Sequence, residues 1–142
     1  MQILIDDQEL KDALKRLAEH ASDLTPVMQE IGNLLQNETE LSFERQRSPA
    51  GRPWTPAKKK RGLTLIDSGR LSHSFGYDAA KDSVAMGTNL VYAPIHHFGG
   101  RAGRGKRTVL PARPFMPVED GSLTDATKEA ILEMMADYLA GS

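Results

Sequence analysis

Apolar residues recur at helical spacing in three stretches of the chain. Residues 7–22 carry leucines and alanines three and four positions apart, with Asp6 placed as an N-cap and Glu9 as its capping-box partner. Residues 25–46 carry a second stripe, interrupted by the acid Glu38, and residues 124–139 carry a third. The pattern predicts two N-terminal helices and one C-terminal helix, with Thr25 as the cap of the second.

The region between these helices favours short strands. Residues 74–79 and 83–87 alternate around a polar turn, which predicts a β-hairpin. Residues 91–98 predict a short helix that stops at the following glycines, and residues 99–108 lack periodicity and predict a loop. Further extended pieces are expected at residues 2–5, 64–66 and 109–118. The fold class is therefore α+β, with a small, mainly antiparallel sheet, long basic Pro/Gly-rich arms, and one domain over residues 1–142.

Composition narrows the class of protein. The 142 residues include no cysteine, which excludes disulfides and thiolate metal sites. No apolar run approaches the roughly 20 residues that a membrane-spanning helix needs. The N-terminus lacks a basic stretch followed by an apolar one, so we expect no secretory signal.

The net charge of −1 hides a strong segregation of charge along the chain. Residues 1–40 carry nine acids and three bases, and residues 114–142 carry six acids and one base. Residues 44–70 carry eight bases and two acids, and residues 101–113 carry five bases and no acid. Such asymmetry indicates a charged partner, or copies of the protein that meet acidic face to basic face.

The segment SPAGRPWTPAKKKRG, residues 48–62, holds the only tryptophan, Trp54. Its prolines and cations are atypical of a core segment and favour an arm that reaches onto an acidic neighbour. Trp54 would then anchor the arm, against either the protein's own body or a neighbouring subunit. We expect the arms to span about 47–62 and 99–113.

Three arrangements resemble catalytic or ligand sites, and a plainer interpretation is favoured for each. His96 and His97 are adjacent and point apart on a helix or a strand, so they do not readily share a metal. Asp67, Ser68 and His73 lack the strand–Ser–helix elbow of a hydrolase, and the first two are typical caps. The glycine-rich stretch 100–107 has the glycine and lysine spacing of a phosphate-binding loop, but an arginine occupies the position of the required hydroxyl residue. We therefore expect no enzyme activity, cofactor or metal, and structural roles for the three histidines.

Several motifs in a fixed order resemble the phage virion morphogenesis family. They are SPAGRPWTPAKKK, LIDSGRLSHSF, VAMGTNLVYAPIHHFGG and PARPFMPV, ahead of a C-terminal helix, and the resemblance covers about residues 25–140. The family includes the tail completion proteins of tailed bacteriophages and a counterpart in Mu-like phages. The resemblance implies a structural protein of the virion neck or head-proximal tail end, assembled in the host cytoplasm. It implies a ring, with six copies as the first guess, that enables head–tail joining beside neck, connector and tail proteins.

Two alternatives remain open at this stage: a head completion or connector protein, and a DNA-binding module that uses the basic arms on DNA passing through the ring. In either case the subunit or partner interface is expected to use the cations and aromatic residues of the arms. These residues are Arg52, Trp54, Lys58, Lys59, Lys60, Arg101, Arg104, Lys106, Arg107, Arg113 and Phe115. No membrane partner is expected.

Overall fold

The computed structural model of the protein describes residues 7–21, 23–56, 71–90, 92–102, 105, 108–119 and 122–141. Its elements in chain order are α1 (Gln8–Ala18), α2 (Thr25–Arg45), β1 (Gly76–Ala79), β2 (Val84–Gly87), α3 (Ala93–Phe98), β3 (Gly100–Ala102), β4 (Thr108–Leu110), β5 (Val118–Glu119), β6 (Ser122–Leu123) and α4 (Asp125–Gly141). The strands form three separate antiparallel pairs, β1–β2, β3–β4 and β5–β6. The predicted α+β class is confirmed. The extended pieces expected at 2–5 and 64–66, and the caps expected at Asp67 and Ser68, lie outside the described residues.

Helix α1 begins one residue later than the sequence predicts. Asp7, not Asp6, is the N-cap, and its carboxylate accepts a hydrogen bond from the Leu10 backbone N–H at 3.0 Å. This hydrogen bond is the main cause that lowers the pKa of Asp7. Since Leu10 is then the third helical residue, Glu9 cannot complete a capping box. The helix also ends early, at Ala18, because the N–H of His20 turns back to the Leu17 carbonyl at 2.9 Å.

Helix α2 is capped from a position that the sequence analysis did not single out. Asp23 accepts hydrogen bonds from both the backbone N–H (3.0 Å) and the hydroxyl (2.5 Å) of Thr25, which lowers the pKa of Asp23. Thr25 is therefore the first helical residue and not the cap. The helix ends at Arg45, where Gln46 takes a left-handed conformation with φ of 58°.

The long helices bury their apolar stripes against one another. We call this cluster the helical core; its buried members are Ala13, Leu17, Leu24, Val27, Met28, Ile31, Ile131 and Met135. Helix α4 packs against both α1 and α2. At one end of the α1–α4 contact, Lys128 forms ion pairs with Asp7 at 3.0 Å and Glu9 at 3.4 Å. The helical periodicity of the sequence thus corresponds directly to a packed core.

Glu38, the acid within the apolar stripe of α2, has a partner on α4. The Thr127 hydroxyl donates a hydrogen bond to Glu38 Oε2 at 2.5 Å, and the Thr124 hydroxyl donates to Thr127 Oγ1 at 2.8 Å. Thr127 is fully buried. These bonds satisfy polar groups that would otherwise be costly between two packed helices.

The predicted hairpin of β1 and β2 is confirmed, with Tyr77 opposite Met86 in its register. It packs closely on α2 because Gly32 leaves room for the Tyr77 ring. A Cβ at Gly32 would lie 2.3 Å from Tyr77 Cδ2. The Tyr77 hydroxyl also donates to Asn33 Oδ1 at 2.8 Å.

A second cluster lies at the C-terminal end of α2. We call it the aromatic core; its buried members are Phe43, Trp54, Leu71, Phe75, Ala93, Phe115 and Met116. The Phe43 ring is central, with its centroid 5.0 Å from that of Phe115 and 5.5 Å from that of Trp54. Only Phe43 and Ala93 of this cluster lie on helices. Loops and chain turns therefore provide most of the described members of this cluster.

The prediction of a structureless loop at residues 99–108 is wrong at both ends. β3 and β4 pair there in antiparallel fashion, with Arg101 opposite Val109. Strands of three residues are too short for alternation to reveal them. Gly99 starts this hairpin with φ of 75°, and a Cβ there would lie 2.7 Å from the Ala112 backbone nitrogen. The close approach requires glycine.

Candidate assembly interface

Trp54 lies inside the molecule, although its sequence context is atypical of a core. Its side chain is 6% exposed, and the indole N–H donates to the Pro114 carbonyl at 2.8 Å. The chain folds back after α2 through the bridge of Arg47 to Pro53, which carries Trp54 onto Phe43. Of the two anchor positions that the sequence left open for Trp54, the described structure shows the one against the protein's own body.

Two other predicted interface residues, Arg113 and Phe115, are also buried in the chain itself. Phe115 has no exposed surface. Arg113 Nε donates to the Thr55 carbonyl at 2.8 Å, and its backbone N–H donates to the His96 carbonyl at 2.9 Å. Burial lowers the pKa of Arg113. Both residues hold the 113–116 segment in place within the subunit, and their interface role stays a prediction.

Arg52 and Arg101 are exposed, as an interface role requires. Arg52 Nη2 lies 2.7 Å from Glu119 Oε1, in a pair open to solvent. Arg101 lies on β3. The remaining predicted residues lie outside the described part of the chain, and their interface role stays a prediction; they are Lys58, Lys59, Lys60, Arg104, Lys106 and Arg107.

His97 organises the buried 113–116 segment. It is 3% exposed, and its Nδ1 accepts hydrogen bonds from the backbone N–H groups of Phe115 at 3.2 Å and Met116 at 3.4 Å. Burial lowers the pKa of His97 to about 4. The ring is therefore neutral near pH 7, and because Nδ1 is an acceptor, the proton is on Nε2.

His96 differs from its neighbour. Burial, and then the charge of Arg113, lower the pKa of His96, and its Nδ1 is enclosed without a hydrogen-bond partner in the described structure. The two histidines were expected to have structural roles. For His97 the structure shows how: backbone donors of a distant segment bind its ring.

A cavity of about 470 Å³ opens beside Trp54, and we call it the Trp54 cavity. Its wall combines prolines of both extended segments, Pro49, Pro53 and Pro114, with the rings of Trp54, His97 and Phe98. Phe98 is 61% exposed. The ion pair of Arg52 and Glu119 is also part of the lining. A concave apolar surface with a few polar groups is typical of a binding site.

An acidic stripe follows one face of α4. Asp125, Glu129, Glu133 and Asp137 recur every four residues and are all exposed. None of these four carboxylates forms an ion pair with a cation that the structure describes. The acidic side of the charge segregation seen in the sequence is thus present on the described surface.

The catalytic arrangements considered from the sequence are not assembled in the described structure. Asp67 and Ser68 lie outside it, and within it no three histidines, aspartates or glutamates come together as metal ligands. Among the described helices, none has the length and apolar character to cross a membrane.

Three residues of this region were not predicted from the sequence: His97 as a hydrogen-bond acceptor for the 113–116 segment, and Phe98 and Val109 as exposed apolar residues. Val109 is 67% exposed on β4. One feature of the sequence could have indicated them: each of the three residues lies next to a charged or glycine-rich stretch and not within an apolar stripe. The role of His97 depends on backbone groups 18 and 19 residues away, which no local pattern reveals.

The model of the phage virion morphogenesis family matches residues 5–140, and the chain belongs to that family. Over 131 residues it is 36% identical to Mu-like prophage FluMu G protein 2 of Haemophilus influenzae, covering 92% of this chain and 89% of that protein. Over 132 residues it is 27% identical to the putative capsid assembly protein G of Escherichia phage Mu, covering 84% of each. No solved structure matches the chain. The protein is therefore a virion morphogenesis protein of the Mu-like type with a structural role.

Proposed function

We propose that the protein forms a ring at the neck or head-proximal tail end of the virion and enables the tail to join a filled head. The observation that carries the proposal is the family match over residues 5–140. Six copies are the first guess for the ring. It is a structural part of the particle, assembled in the host cytoplasm, and not an enzyme.

The charge distribution supports assembly through unlike surfaces. The α4 face presents four carboxylates that pair with no cation in the described part of the chain, whereas residues 101–113 carry five bases and no acid. An acidic face on one copy that meets a basic segment on the next makes a head-to-tail contact, and such contacts close into a ring when the rotation permits. The acidic face could equally meet basic segments of neighbouring virion proteins, which makes both kinds of partner part of the proposal.

The experiment is removal of the protein during phage growth, with electron microscopy of the lysate. We expect DNA-filled heads and separate tails to accumulate, and purified protein to restore joined particles when it is added to that lysate. Native mass measurement of the protein released from finished particles should give a multimer. Normal joined particles without the protein, or a strictly monomeric state inside the virion, would contradict the proposal.

A head completion or connector role is the second candidate. The name of the phage Mu relative, a putative capsid assembly protein, favours it. The same lysate separates the two roles, because loss of a head protein leaves heads that are empty or unstable, whereas loss of a tail protein leaves filled heads. A DNA-binding module would instead bind free duplex tightly, with affinity that falls steeply as salt is added.

A further inference from the structure

The Trp54 cavity contains a hydrogen-bond donor without an acceptor. The proton of His97 is on Nε2, because Nδ1 accepts from two backbone groups. This Nε2–H has no hydrogen-bond partner in the described structure. Unlike His96 Nδ1, which is fully buried without a partner, it retains some contact with solvent. Since His97 lines the cavity, the donor reaches the cavity's solvent. A carbonyl oxygen brought by a partner would satisfy it.

The same cavity has an apolar wall that the chain leaves uncovered. Phe98 keeps 61% of its surface exposed beside Trp54 and the prolines of the wall. An exposed aromatic ring next to a concave apolar surface is typical of an interaction site. The acid of the lining, Glu119, is held by Arg52, which is itself open to solvent and free to rearrange.

The β3–β4 hairpin has the complementary features. Val109 is 67% exposed, and Arg101 is its cross-strand partner, so both side chains lie on one face. In the described structure β3 and β4 pair only with each other, so their outer edges carry backbone carbonyls outside the ladder. The hairpin therefore offers an apolar side chain, a cation and carbonyl acceptors together.

We infer that the β3–β4 hairpin of one copy docks into the Trp54 cavity of the next copy; this rests on the ring assembly proposed above. Val109 packs on Phe98 and the proline wall. An outer-edge carbonyl accepts the Nε2–H of His97, and Arg101 pairs with Glu119. Because the hairpin and the cavity are different surfaces, the contact is head to tail, which is the kind that closes a ring.

A second copy fits this surface better than DNA does. The cavity combines a wall of prolines and rings with one acid, Glu119, and one cation, Arg52, which pair with each other. DNA would place its phosphates beside the Glu119 carboxylate, which is unfavourable, whereas Arg101 of a second copy brings an additional cation to that acid. The hairpin also brings an apolar side chain for the wall, which a phosphate backbone lacks.

The natural absence of cysteine makes a disulfide test direct. Phe98→Cys and Val109→Cys are made in separate copies with different tags and are coexpressed with the other virion proteins. A disulfide requires Cα atoms within about 7 Å, so mild oxidation reports contact. We expect a heterotypic link between the two copies, severalfold above the yield with Leu41→Cys in place of Val109→Cys. Leu41 is the matched control, an exposed apolar residue on α2.

A charge exchange provides the second measurement. Glu119→Lys should weaken self-association by about tenfold or more, and adding Arg101→Glu should restore it. Arg52→Ala is the control: it measures how much of the weakening by Glu119→Lys comes from losing the Arg52–Glu119 ion pair within one chain.

The two measurements separate this inference from the proposed function. Two results would overturn the docking but not the ring: multimers in finished particles without a disulfide between positions 98 and 109, or a disulfide from position 98 to another virion protein. Absence of any multimer in finished particles would overturn both. Failure of Arg101→Glu to rescue Glu119→Lys would also count against the docking.

Discussion

The helical core and the aromatic core are of similar size, yet they are built on different principles. The helical core gathers residues that recur at helical spacing on α1, α2 and α4. The aromatic core gathers rings from segments far apart in the chain, and most of its members lie outside helices. Phe43, near the end of α2, connects the long helix to this second cluster.

The aromatic core depends on backbone hydrogen bonds that fix the proline-rich segment after α2. The backbone N–H of Trp54 donates to the Gln46 carbonyl at 2.9 Å, and that of Ser48 donates to the Arg52 carbonyl at 2.8 Å. These bonds tie residues 47–54 to the end of α2. We therefore expect slow hydrogen exchange at the amides of Ser48 and Trp54 in the free subunit.

The largest expected effect comes from Trp54→Ala, which removes one wall of the aromatic core. We expect a loss of about 3–5 kcal/mol in the free energy of unfolding, because a large buried ring leaves a cavity. Chemical denaturation of the purified protein measures it. Trp54→Phe is the matched control: it keeps a ring but loses the bond to the Pro114 carbonyl, and should cost about 1 kcal/mol. If Trp54→Ala left the free energy of unfolding unchanged but gave defective particles, Trp54 would be an anchor between subunits and not a core residue.

The next effect tests the contact between the helices and the first hairpin. Gly32→Ala should destabilise the protein by about 1–3 kcal/mol, because the new methyl group would overlap the Tyr77 ring. The gain in helix propensity, about 1 kcal/mol for alanine over glycine, offsets part of this. Gly141→Ala is the control, since open space surrounds that α4 position. Equal thermal stability of the two variants would show that the hairpin is not packed closely on α2.

A pH-dependent effect is expected in the aromatic region. The pKa of His97 is about 4 in the folded protein, against an ordinary value of 6.5. Above pH 6.5 both states are neutral and stability is full; as pH falls from 6.5 toward 4, only the unfolded state gains the proton, so stability decreases. Protonation of Nδ1 would also abolish its acceptor role for Phe115 and Met116.

Melting temperature measured across this pH window tests the prediction. His97→Gln keeps a carbonyl acceptor and should remove this part of the slope. His20→Gln, at an exposed position just after α1, is the control for loss of a histidine outside the aromatic region. A slope that survives His97→Gln would assign the pH dependence to other groups.

The smallest effect is expected in the helical region, at Lys128. Lys128→Met removes the ion pairs to Asp7 and Glu9, which lie at the surface, so we expect only a slight fall in melting temperature. The fall should shrink further as salt is added, because salt screens exposed charges. A large, salt-independent loss would mean that the N-terminal cap of α1 depends on Lys128 for its position.

Much of the helical half was predictable from sequence. The three long helices and the β1–β2 hairpin were predicted, with errors of a few residues at the ends. The caps were misplaced by one or two positions, because Asp6 and Asp7 compete for one role and Asp23 caps from outside the pattern. The burial of Trp54, Arg113 and Phe115 within the chain was not evident from their sequence context, and the interface role of the candidate residues stays a prediction.

The sequence by itself determined the helical periodicity, the absence of cysteine, the segregation of charge and the motifs of the virion morphogenesis family. These are local or compositional properties, and they act over a few residues or over the whole chain at once. Only the tertiary structure decided that Trp54 lies inside, that His97 accepts from Phe115 and Met116, and that Phe98 and Val109 are left exposed. Burial of a ring and hydrogen bonds between residues 18 or 60 positions apart depend on how distant segments pack together. The spacing of neighbouring residues does not determine that packing.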